Sequence, residues 1–516
     1  MKRRAGFLVR WAAERYGSRT AFVFGDRRCS FDELHRRSNR LAHALMARSL
    51  RRGERVALLL DNGPEYVEAL FALMKAALVT VPVNLRLSAA ERRLILLDCG
   101  AATAICTGAA AELLALRRRE LPDLREVFVV GGTNADAYDV LLASGSETDT
   151  AIEVDEEEIE TIRYTSGTTG VPKGAMYSTG AMYQQLTHSL LNLGDLPGAD
   201  DRMLHATSLG HGSGRCLMPF WVRGAVQLLL ANFDAEMVLQ LITREKVTHF
   251  YLVPTMLNAL LERFDPARHD VASIKRLFYG GAPISEQTLH RSLQVFGPVL
   301  RQQYGSTETG NPITALEPDD HVAEGTPEQL RRLQSAGRPA LGTELRIIDD
   351  EGHELPRGEL GEIAVRRMGM MHGYWNRPDA AAKALREGWM HTGDMGVMDE
   401  CGYVYIRDRK NDMIITGGYN VYPGEVERAL QCHPGVSEAA VIGVPDAYWG
   451  QSVKAFVVRR GYVSEEELIE WCKSEIASYK KPRVIEFVDE LPKNPAGKVV
   501  RRLLKERSAK VSYGAS

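Results

Sequence analysis

Between residues 19 and 130 the chain alternates between segments typical of strands and segments typical of helices. The run RVALLL at 55–60 is continuously apolar, as in a parallel strand that is covered on both faces. Ser30 and Ser88 each stand three residues before a glutamate, which is the capping box that begins a helix. Strands that alternate with helices form sheets with helices packed on both faces. The sequence therefore predicts an α/β fold with a large N-terminal domain of doubly wound sheets.

After Gly337 the alternation gives way to short β-like segments separated by glycine, proline and aspartate. This texture is typical of a small β-rich subdomain, which we place at about residues 337–408. The charged connector Arg407–Asp412 then leads into a tail with two predicted helices and three predicted strands. About a hundred residues with this pattern suffice for an α+β domain. The predicted domains are therefore residues 1–408 and residues 409–516.

Composition excludes some classes of function. A chain of 516 residues is too long for one core, and its net charge of −3 argues against broad nucleic-acid binding. No apolar run approaches the ~20 residues of a transmembrane segment, although basic clusters such as Arg51-Arg52 leave peripheral contact with an anionic membrane open. The seven cysteines are scattered and never spaced as CxxC. We therefore expect each to be a small buried residue in a protein of the reducing cytoplasm.

The segment Tyr164–Ser178, YTSGTTGVPKGAMYS, has the composition of a phosphate-binding loop. Residues 165–174 include three glycines, four Ser/Thr hydroxyls and one lysine. Glycine lets backbone N–H groups approach phosphate oxygens, hydroxyls add neutral donors, and Lys173 supplies a positive charge. The segment is not a Walker A loop, because Lys173 is followed by Gly174 rather than by Ser or Thr. An ordinary surface loop is the alternative, but the density of donors favours a nucleotide triphosphate.

Further motifs are ambiguous when each is considered alone. In Tyr304-Gly-Ser-Thr-Glu308, the tyrosine could stack on a base and the glutamate could bind a divalent metal, or the segment could be an exposed turn. Asp394 in HTGD could hold a ribose or form a plain Asx turn. Lys498 in PAGK is by itself more typical of a solvated lysine. A single histidine between glycines, such as His211 in GHGSG, is usually neither a proton carrier nor a residue that closes a pocket.

Together, these motifs resemble those of the adenylate-forming superfamily, which includes acyl-CoA synthetases, firefly luciferase and nonribosomal-peptide adenylation domains. The motifs in order are YTSGTTGVPKG, GGAP, YGSTE, HTGD, DRKNDMIITGGYNVYP and PAGK. The resemblance extends from about residue 5 to residue 508. It implies a smaller, mobile α+β C-terminal domain that acts as a lid about a hinge near Asn411. It also implies ATP, Mg²⁺ and coenzyme A as the cofactors and co-substrates.

The resemblance implies roles for the positions that match the superfamily's motifs. The residues that would grip the β- and γ-phosphates of ATP are Thr165, Ser166, Gly167, Thr168, Thr169, Gly170 and Lys173. Gly281, Ala282 and Pro283 would line the adenine slot, where Tyr304 would stack on the adenine beside Gly305.

For the chemical steps, the resemblance implies that Thr307 contacts the α-phosphate and that Glu308 binds Mg²⁺. Asp394, assisted by Arg409, would hold the ribose hydroxyls. Lys498 would bridge the attacking carboxylate and the α-phosphate. Gly417 and Gly418 would let a pantetheine arm pass, and His211 would stand at the back of the acyl pocket as in acyl-CoA synthetases.

The resemblance thus implies an ATP-dependent carboxylic acid–CoA ligase (EC 6.2.1.-) that forms an acyl adenylate and then an acyl-CoA thioester. The expected partners are ATP, CoA and a small carboxylic acid, a fatty or an aryl acid, and a homodimer is left open. An acyl-AMP ligase that loads a carrier protein and a catalytically inactive nucleotide-binding relative are the alternatives. A dicarboxylic acid is less expected, because Arg215 is the one permanent cation evident near the predicted pocket, and we expect Arg215 to be solvated or ion-paired.

Overall fold

The structure, a computed structural model, describes residues 1–116, 118–165, 172–210, 212–322, 324–416, 419–446, 448–494 and 497–513. The elements of the first third of the chain, to the start of the predicted phosphate loop, are β1 (Lys2–Arg4), α1 (Phe7–Tyr16), β2 (Thr20–Phe24), β3 (Arg27–Ser30), α2 (Phe31–Ala47), β4 (Arg55–Leu59), α3 (Pro64–Lys75), β5 (Val79–Pro82), α4 (Ala89–Cys99), β6 (Thr103–Thr107), α5 (Gly108–Leu116), β7 (Glu126–Val130), α6 (Tyr138–Ala143), β8 (Glu153–Asp155) and β9 (Ile159–Thr165).

The middle third continues the alternation of strands and helices. Its elements are β10 (Lys173–Ser178), α7 (Thr179–Leu191), β11 (Arg202–His205), α8 (Gly214–Trp221), β12 (Val226–Leu229), α9 (Ala235–Glu245), β13 (His249–Leu252), α10 (Pro254–Arg263), β14 (Arg276–Gly280), α11 (Glu286–Phe296), β15 (Leu300–Ser306), β16 (Gly310–Leu316), α12 (Pro327–Arg332) and β17 (Arg338–Pro339).

The last third is rich in strands. Its elements are β18 (Thr343–Ile348), β19 (Gly361–Arg367), β20 (Gly373–Tyr374), α13 (Pro378–Ala384), β21 (Leu385–Arg386), β22 (Trp389–Met398), β23 (Val404–Arg409), β24 (Ile414–Thr416), β25 (Tyr419–Val421), α14 (Pro423–Gln431), β26 (Val436–Asp446), β27 (Gly450–Arg459), α15 (Glu465–Glu475), β28 (Val484–Phe487) and α16 (Arg501–Tyr513).

Two large sheets, mainly parallel, form the N-terminal part of the molecule. The first has the strand order β20-β10-β9-β5-β4-β6-β7, and the second has the order β17-β16-β15-β14-β13-β11-β12-β2-β3. Helices from both sheets meet in one buried cluster, in which the ring of Phe31 lies 4.3 Å and that of Phe71 lies 4.8 Å from the ring of Trp221. The predicted doubly wound α/β fold is confirmed, and Ser88 forms the expected capping box with Glu91.

A five-stranded antiparallel sheet follows, with the order β18-β19-β22-β21 and β23 paired to β22. It corresponds to the predicted β-rich subdomain. The prediction of a connector at Arg407–Asp412 is wrong for its first three residues, because Val404–Arg409 is a strand. These three residues are charged and do not follow an apolar pattern, and Arg409 instead forms a cross-strand ion pair with Asp394.

The C-terminal residues form their own sheet and core. Strands β25-β24-β27-β26 pair in that order, β28 adds to β27 in parallel, and α14 and α15 cover one face. Five of the seven cysteines are buried, but Cys401 and Cys432 are exposed, so the expectation of burial is wrong for these two. In the part of the chain that the structure describes, no helix is long and apolar enough to cross a membrane.

Candidate active site

A cleft of about 2920 Å³ runs between the two large sheets, the β-rich sheet and the C-terminal sheet. This volume exceeds the roughly 300–1,000 Å³ of a single ligand pocket, so the cleft has room for more than one substrate. The predicted site residues that line it are Thr165, Lys173, Gly281, Ala282, Pro283, Tyr304, Gly305, Thr307, Glu308, Asp394, Arg409 and Lys498. The other predicted site residues, Ser166, Gly167, Thr168, Thr169, Gly170, His211, Gly417 and Gly418, lie outside the described residues.

The predicted phosphate loop connects two antiparallel strands that fix both of its ends. Thr165, the last residue of β9, is directly opposite Lys173, the first residue of β10. The Lys173 ammonium lies 5.3 Å from the centre of the Tyr374 ring, within the range of a cation–π contact. This contact holds the positive charge inside the cleft, where a polyphosphate would meet it.

Tyr304, Asp394 and Arg409 form a connected group on one wall of the cleft. The Tyr304 hydroxyl donates to Asp394 Oδ2 at 2.5 Å, and Arg409 Nε lies 2.6 Å from Asp394 Oδ1. Burial raises the pKa of Tyr304 well above its usual range, and the negative charge of Asp394 adds to the rise. Burial is the largest single influence on the pKa of Arg409 and lowers it, but the negative groups around it, Asp394 first, together outweigh burial, so the net shift is upward. Asp394 is thus a buried, charge-paired carboxylate and not part of a plain surface turn.

The glycine pair at the end of β14 shapes the neighbouring part of the cleft. A Cβ added to Gly280 would lie 2.1 Å from the carbonyl oxygen of Gln303, so a side chain does not fit there. Gly281 has φ +84°, a conformation that favours glycine. Gly280 is paired with Gln303 across the parallel strands β14 and β15, so residues 281–283 and Tyr304 follow at the same end of the two strands, which suits a slot for a flat ring.

Glu308 and Thr307 occupy the turn between β15 and β16. The Tyr374 hydroxyl donates to Glu308 Oε1 at 3.0 Å, and the Tyr177 hydroxyl donates to the carbonyl oxygen of Thr307. Among the described residues, no group of three or more His, Cys, Asp or Glu could hold a metal by itself. One carboxylate beside a polyphosphate site nevertheless fits Mg²⁺, which keeps several waters and takes its other ligands from phosphates.

Lys498 reaches the same cleft from the C-terminal part of the chain. Its backbone N–H donates to Asn494 Oδ1 at 2.9 Å. The preceding residue, Gly497, has φ +78°, and a Cβ added to it would be 3.1 Å from Thr255 Oγ1 at the start of α10. Burial lowers the pKa of Lys498 and the charge of Arg409 adds to this effect, while Asp394 and Glu308 oppose it. The lysine thus lies among the residues predicted to hold ribose and metal.

The structure also reveals cleft residues that the motifs did not point to. Tyr374 joins the Lys173 ammonium to the Glu308 carboxylate, and Arg163 on β9 lies 5.2 Å from the centre of the Tyr177 ring. Arg163 stands two residues before Thr165 in the strand that leads into the predicted phosphate loop, and this position was the available signal for it. Arg215, which was expected to be solvated or ion-paired, forms no ion pair among the described residues, and its guanidinium carbon lies 3.9 Å from the centre of the Tyr251 ring.

Comparisons with known proteins identify the family. The model of the AMP-binding enzyme family matches residues 9–375, and that of the AMP-binding enzyme C-terminal domain matches residues 425–498. The fatty acid–[acyl-carrier-protein] ligase ScoC of Streptomyces coeruleorubidus is 37% identical, over 93% of this chain and 92% of that one. Feruloyl-CoA synthase of an Amycolatopsis species is 38% identical, over 95% of this chain and 96% of that one.

A solved structure with the same architecture is the o-succinylbenzoate CoA synthetase of Bacillus subtilis in complex with its acyl-adenylate intermediate. It has a TM-score of 0.86 and 33% identity, and the match covers 98% of both chains. The same enzyme has been solved with ATP and a magnesium ion, in agreement with the predicted use of both.

The chain belongs to the AMP-binding enzyme family. The resemblance to the adenylate-forming superfamily and the predicted enzyme class, a ligase of carboxylic acids, are therefore confirmed.

Proposed function

We propose that this protein is an ATP-dependent carboxylic acid–CoA ligase that forms an acyl adenylate with release of pyrophosphate and then an acyl-CoA thioester with release of AMP. The observation that carries the proposal is the meeting of four groups in one cleft. Lys498 from the C-terminal part, the Asp394–Arg409 pair, Glu308 and the ends of the phosphate loop all line it.

In the first half-reaction, a carboxylate oxygen of the acid attacks the α-phosphorus of ATP, and the bond to pyrophosphate breaks. The carboxylate is already a nucleophile, so no general base is needed. Repulsion between two anions is the barrier that the site must lower. Lys498 would bridge the attacking carboxylate and the α-phosphate, where negative charge accumulates. Thr307 would donate to the same phosphate.

The remaining residues would bind and orient the nucleotide. Lys173 and the loop that begins at Thr165 would hold the β- and γ-phosphates, and Glu308 would hold Mg²⁺, which neutralises part of the polyphosphate charge when bound. Tyr304 and the backbone of residues 281–283 would enclose the adenine. Asp394 would accept hydrogen bonds from the ribose hydroxyls at the acceptor sites that its contacts with Tyr304 and Arg409 leave free.

The second half-reaction requires the C-terminal part to move. We propose a domain boundary near residue 409, with residues 1–408 as the adenylation domain and residues 409–516 as the lid. The hinge would be Asn411, in the short 3-10 turn Lys410–Asp412. Rotation there would withdraw Lys498 and bring Gly417 and Gly418 to a channel for the pantetheine arm, with His211 at the back of the acyl pocket.

The thiol acceptor is the point at which two relatives differ. Feruloyl-CoA synthase acts with CoA, whereas ScoC is named for an acyl-carrier protein. We propose CoA, with a fatty or aryl acid as the second substrate, and a carrier protein is the alternative that the similarity to ScoC favours. A cytoplasmic location and a homodimer stay predictions from the sequence.

The deciding experiment measures AMP release with Mg²⁺-ATP and a panel of fatty and aryl acids, each with and without CoA. CoA-dependent turnover, with the thioester identified by mass spectrometry, would establish the ligase. Adenylate that accumulates and is not consumed by CoA would instead favour transfer to a carrier protein. If none of the acids gives AMP release although the protein still binds ATP, the proposed function is contradicted.

A further inference from the structure

Arg163 is a cation in the wall of the cleft, close to the start of the predicted phosphate loop. It stands on β9 between Thr161 and Thr165, and all three residues line the cleft. Side chains at alternate positions of a strand share a face, and each step of two residues spans about 7 Å. The side chain of Arg163 therefore leaves the strand about 7 Å from that of Thr165, where the predicted loop begins.

The guanidinium of Arg163 has donors that no group of the described residues accepts. Its carbon lies 5.2 Å from the centre of the Tyr177 ring, and Nη2 donates to Met182 Sδ at 3.6 Å. A thioether sulfur is a weak acceptor. Nε and Nη1 have no hydrogen-bond partner among the residues that the structure describes, and the half-buried side chain leaves both open to the cleft. A ligand in the cleft can therefore reach the free donors of Arg163.

Within the part of the chain that the structure describes, no carboxylate forms an ion pair with Arg163. Glu160 interacts with it electrostatically: burial raises the pKa of Glu160 to about 7, and the charge of Arg163 opposes the rise without cancelling it. By contrast, Arg37 donates from Nε and Nη2 to the two oxygens of Glu68 at 2.6 and 3.0 Å. A partly desolvated guanidinium without such a partner favours an anionic ligand, which it binds through its N–H donors.

Tyr177 connects Arg163 to the turn that is predicted to contact the α-phosphate. It lies on β10 opposite Thr161, on the same face of the sheet as Arg163. Its hydroxyl donates to the carbonyl oxygen of Thr307, so the ring extends from the guanidinium to that turn. Arg163 is therefore separated from the turn of Thr307 by one aromatic ring.

The other neighbours of Arg163 belong to the region where the acid would lie. Burial raises the pKa of Tyr66, and the positive charge of Arg163 opposes the rise, so the two side chains are electrostatic neighbours. A Cβ added to Gly210 would lie 3.3 Å from the Tyr66 hydroxyl, and Gly210 directly precedes His211, the residue predicted for the back of the acyl pocket. Half-buried apolar side chains of α3 and α7 line the cleft as well; they are Leu70, Met74, Met182 and Leu186. Arg163 thus lies between the turn of Thr307 and an apolar part of the cleft, which is where the carboxylate of an acid must be placed to be activated.

We propose that Arg163 binds the carboxylate of the acid substrate and holds it beside the α-phosphate of ATP before adenylation. The apolar part of the acid would extend along α3 and α7. Arg163 belongs to β9 in a large N-terminal sheet, so it stays in the cleft whatever the position of the C-terminal part, whereas Lys498 would leave with that part. The inference rests on the proposed function and separates two tasks. Arg163 binds the acid in the ground state, and Lys498 stabilises the charge that develops during the attack.

The test compares carboxylates with their uncharged amides: octanoate with octanamide, and cinnamate with cinnamamide, one pair for each proposed class of acid. Each compound is titrated by calorimetry into Lys498→Ala protein that holds Mg²⁺ and α,β-methylene-ATP, which cannot release pyrophosphate. The lysine is replaced so that its charge does not contribute. We expect the carboxylate of at least one pair to bind about 10- to 100-fold more tightly than its amide, the range of a charged hydrogen bond. Adding Arg163→Gln should abolish this preference and leave the Kd of the amide and of the nucleotide unchanged, while Arg163→Lys should retain part of it.

Steady-state kinetics give a second measurement in the protein that keeps Lys498. Arg163→Gln should raise KM for the acid by a similar factor and leave KM for ATP unchanged, whereas a merely structural role would change both. Arg346→Gln is the matched control. Arg346 is an exposed arginine on β18 that lies 4.3 Å from the centre of an aromatic ring, that of Trp389, and it is outside the cleft lining.

The inference is overturned if Lys498→Ala protein binds acid and amide equally well, if the preference survives Arg163→Gln, or if Arg163→Gln weakens nucleotide binding as much as acid binding. None of these results bears on AMP release by the wild-type protein, so the proposed function is judged separately. The comparison of acid with amide needs no substitution of Arg163, so it does not depend on the folding of that variant. If neither acid binds although the nucleotide does, the proposed function with a fatty or aryl acid is refuted, and this inference with it.

Discussion

The Lys498 ammonium lies among charges that act on it in opposite directions. Burial and Arg409 lower its pKa, whereas Asp394 and Glu308 raise it. The two carboxylates therefore help to keep the lysine cationic in a cleft that would otherwise favour its neutral form. A cation is what the attack of a carboxylate on a phosphate needs, so the electrostatics of the site agree with the proposed role.

Lys498→Ala should lower adenylate formation by about 10²–10³-fold, the range for removal of one charge-stabilising group from a transition state. Formation of thioester from supplied acyl adenylate and CoA should be nearly unchanged, because the lysine is withdrawn in that step. The two half-reactions are measured separately, by pyrophosphate release and by thioester formation. Equal losses in both would contradict the assignment, and Lys505→Ala, at an exposed position on α16, is the control.

Glu308→Gln should raise the Mg²⁺ concentration needed for half-maximal adenylation and leave the KM for the acid almost unchanged. The substitution keeps the shape and the hydrogen bond from Tyr374 but removes the negative charge that would hold the metal. A magnesium titration at saturating ATP measures the effect. An unchanged magnesium requirement would exclude Glu308 as a ligand.

At the scale of elements, α2 and α3 are joined by an unusual polar contact. Lys75, the last residue of α3, is fully buried and donates to Ser38 Oγ and Asn39 Oδ1 at 2.7 Å each and to the carbonyl oxygen of His35 at 3.0 Å. All of these acceptors are neutral. Burial lowers the pKa of Lys75 to about 7, with the charge of Asp149 opposing the shift. The contact therefore joins α2 to α3, and it does so by removing the Lys75 amine from water.

The linkage between this pKa and stability has a definite sign. Between pH 7 and the usual lysine value of about 10.4, the unfolded chain keeps the proton that the folded protein has released. The unfolded state thus binds more protons, and the free energy of unfolding rises with pH, by about 1.4 kcal/mol per unit from this group. His35 does not contribute, because burial lowers its pKa to about 4 and it is neutral throughout this range.

Denaturant unfolding between pH 7 and 10 should therefore show a steeper rise of stability in the wild-type protein than in Lys75→Met. Lys75→Met leaves the acceptors of Lys75 without their donor, which lowers the free energy of unfolding by a similar amount at each pH. The comparison of slopes is therefore independent of this loss. Lys505→Met, at an exposed position, should keep the wild-type slope. Parallel curves for the wild-type protein and Lys75→Met would show that Lys75 titrates normally.

The elements also show what a sequence can and cannot predict. The run at Arg55–Leu59 was predictable as a buried parallel strand because all of its apolar residues are covered, which composition alone expresses. The last three residues of β23 were assigned to a connector because they are charged, and the ion pair of Arg409 with a residue on β22 could not be read from the sequence. The stacking of Arg215 on the Tyr251 ring could not be predicted either, since it depends on which side chains the fold brings together. The motifs therefore predicted residues for the nucleotide part of the cleft. The residues of the acid part depend on tertiary packing, which no motif expresses.

On the scale of the whole molecule, the C-terminal part is seated on the N-terminal part in one particular arrangement. Gly497 packs near Thr255, and Arg460 Nη1 donates to Gln287 Oε1 at 3.1 Å on the exposed rim. These contacts accompany the placement of Lys498 in the cleft, which is the arrangement that the proposed adenylation step needs. The same contacts must break if the lid rotates for the thioester step, so the two half-reactions are mutually exclusive in geometry.

A cross-link across that rim should therefore separate the half-reactions. We consider Gln287→Cys with Arg460→Cys, in a background where the exposed Cys401 and Cys432 are replaced by serine, joined by a short cleavable bis-maleimide. Adenylate formation should persist in the cross-linked protein, because Lys498 stays in place. Thioester formation should fall in proportion to the cross-linked fraction and return when the linker is cleaved, since the lid can then rotate.

Each single-cysteine variant, treated with the same reagent, controls for modification of one residue. Full thioester activity in the cross-linked protein would mean that CoA reaches the adenylate without any displacement of Lys498. The proposed boundary near residue 409 would then separate two structural units but would not be a hinge.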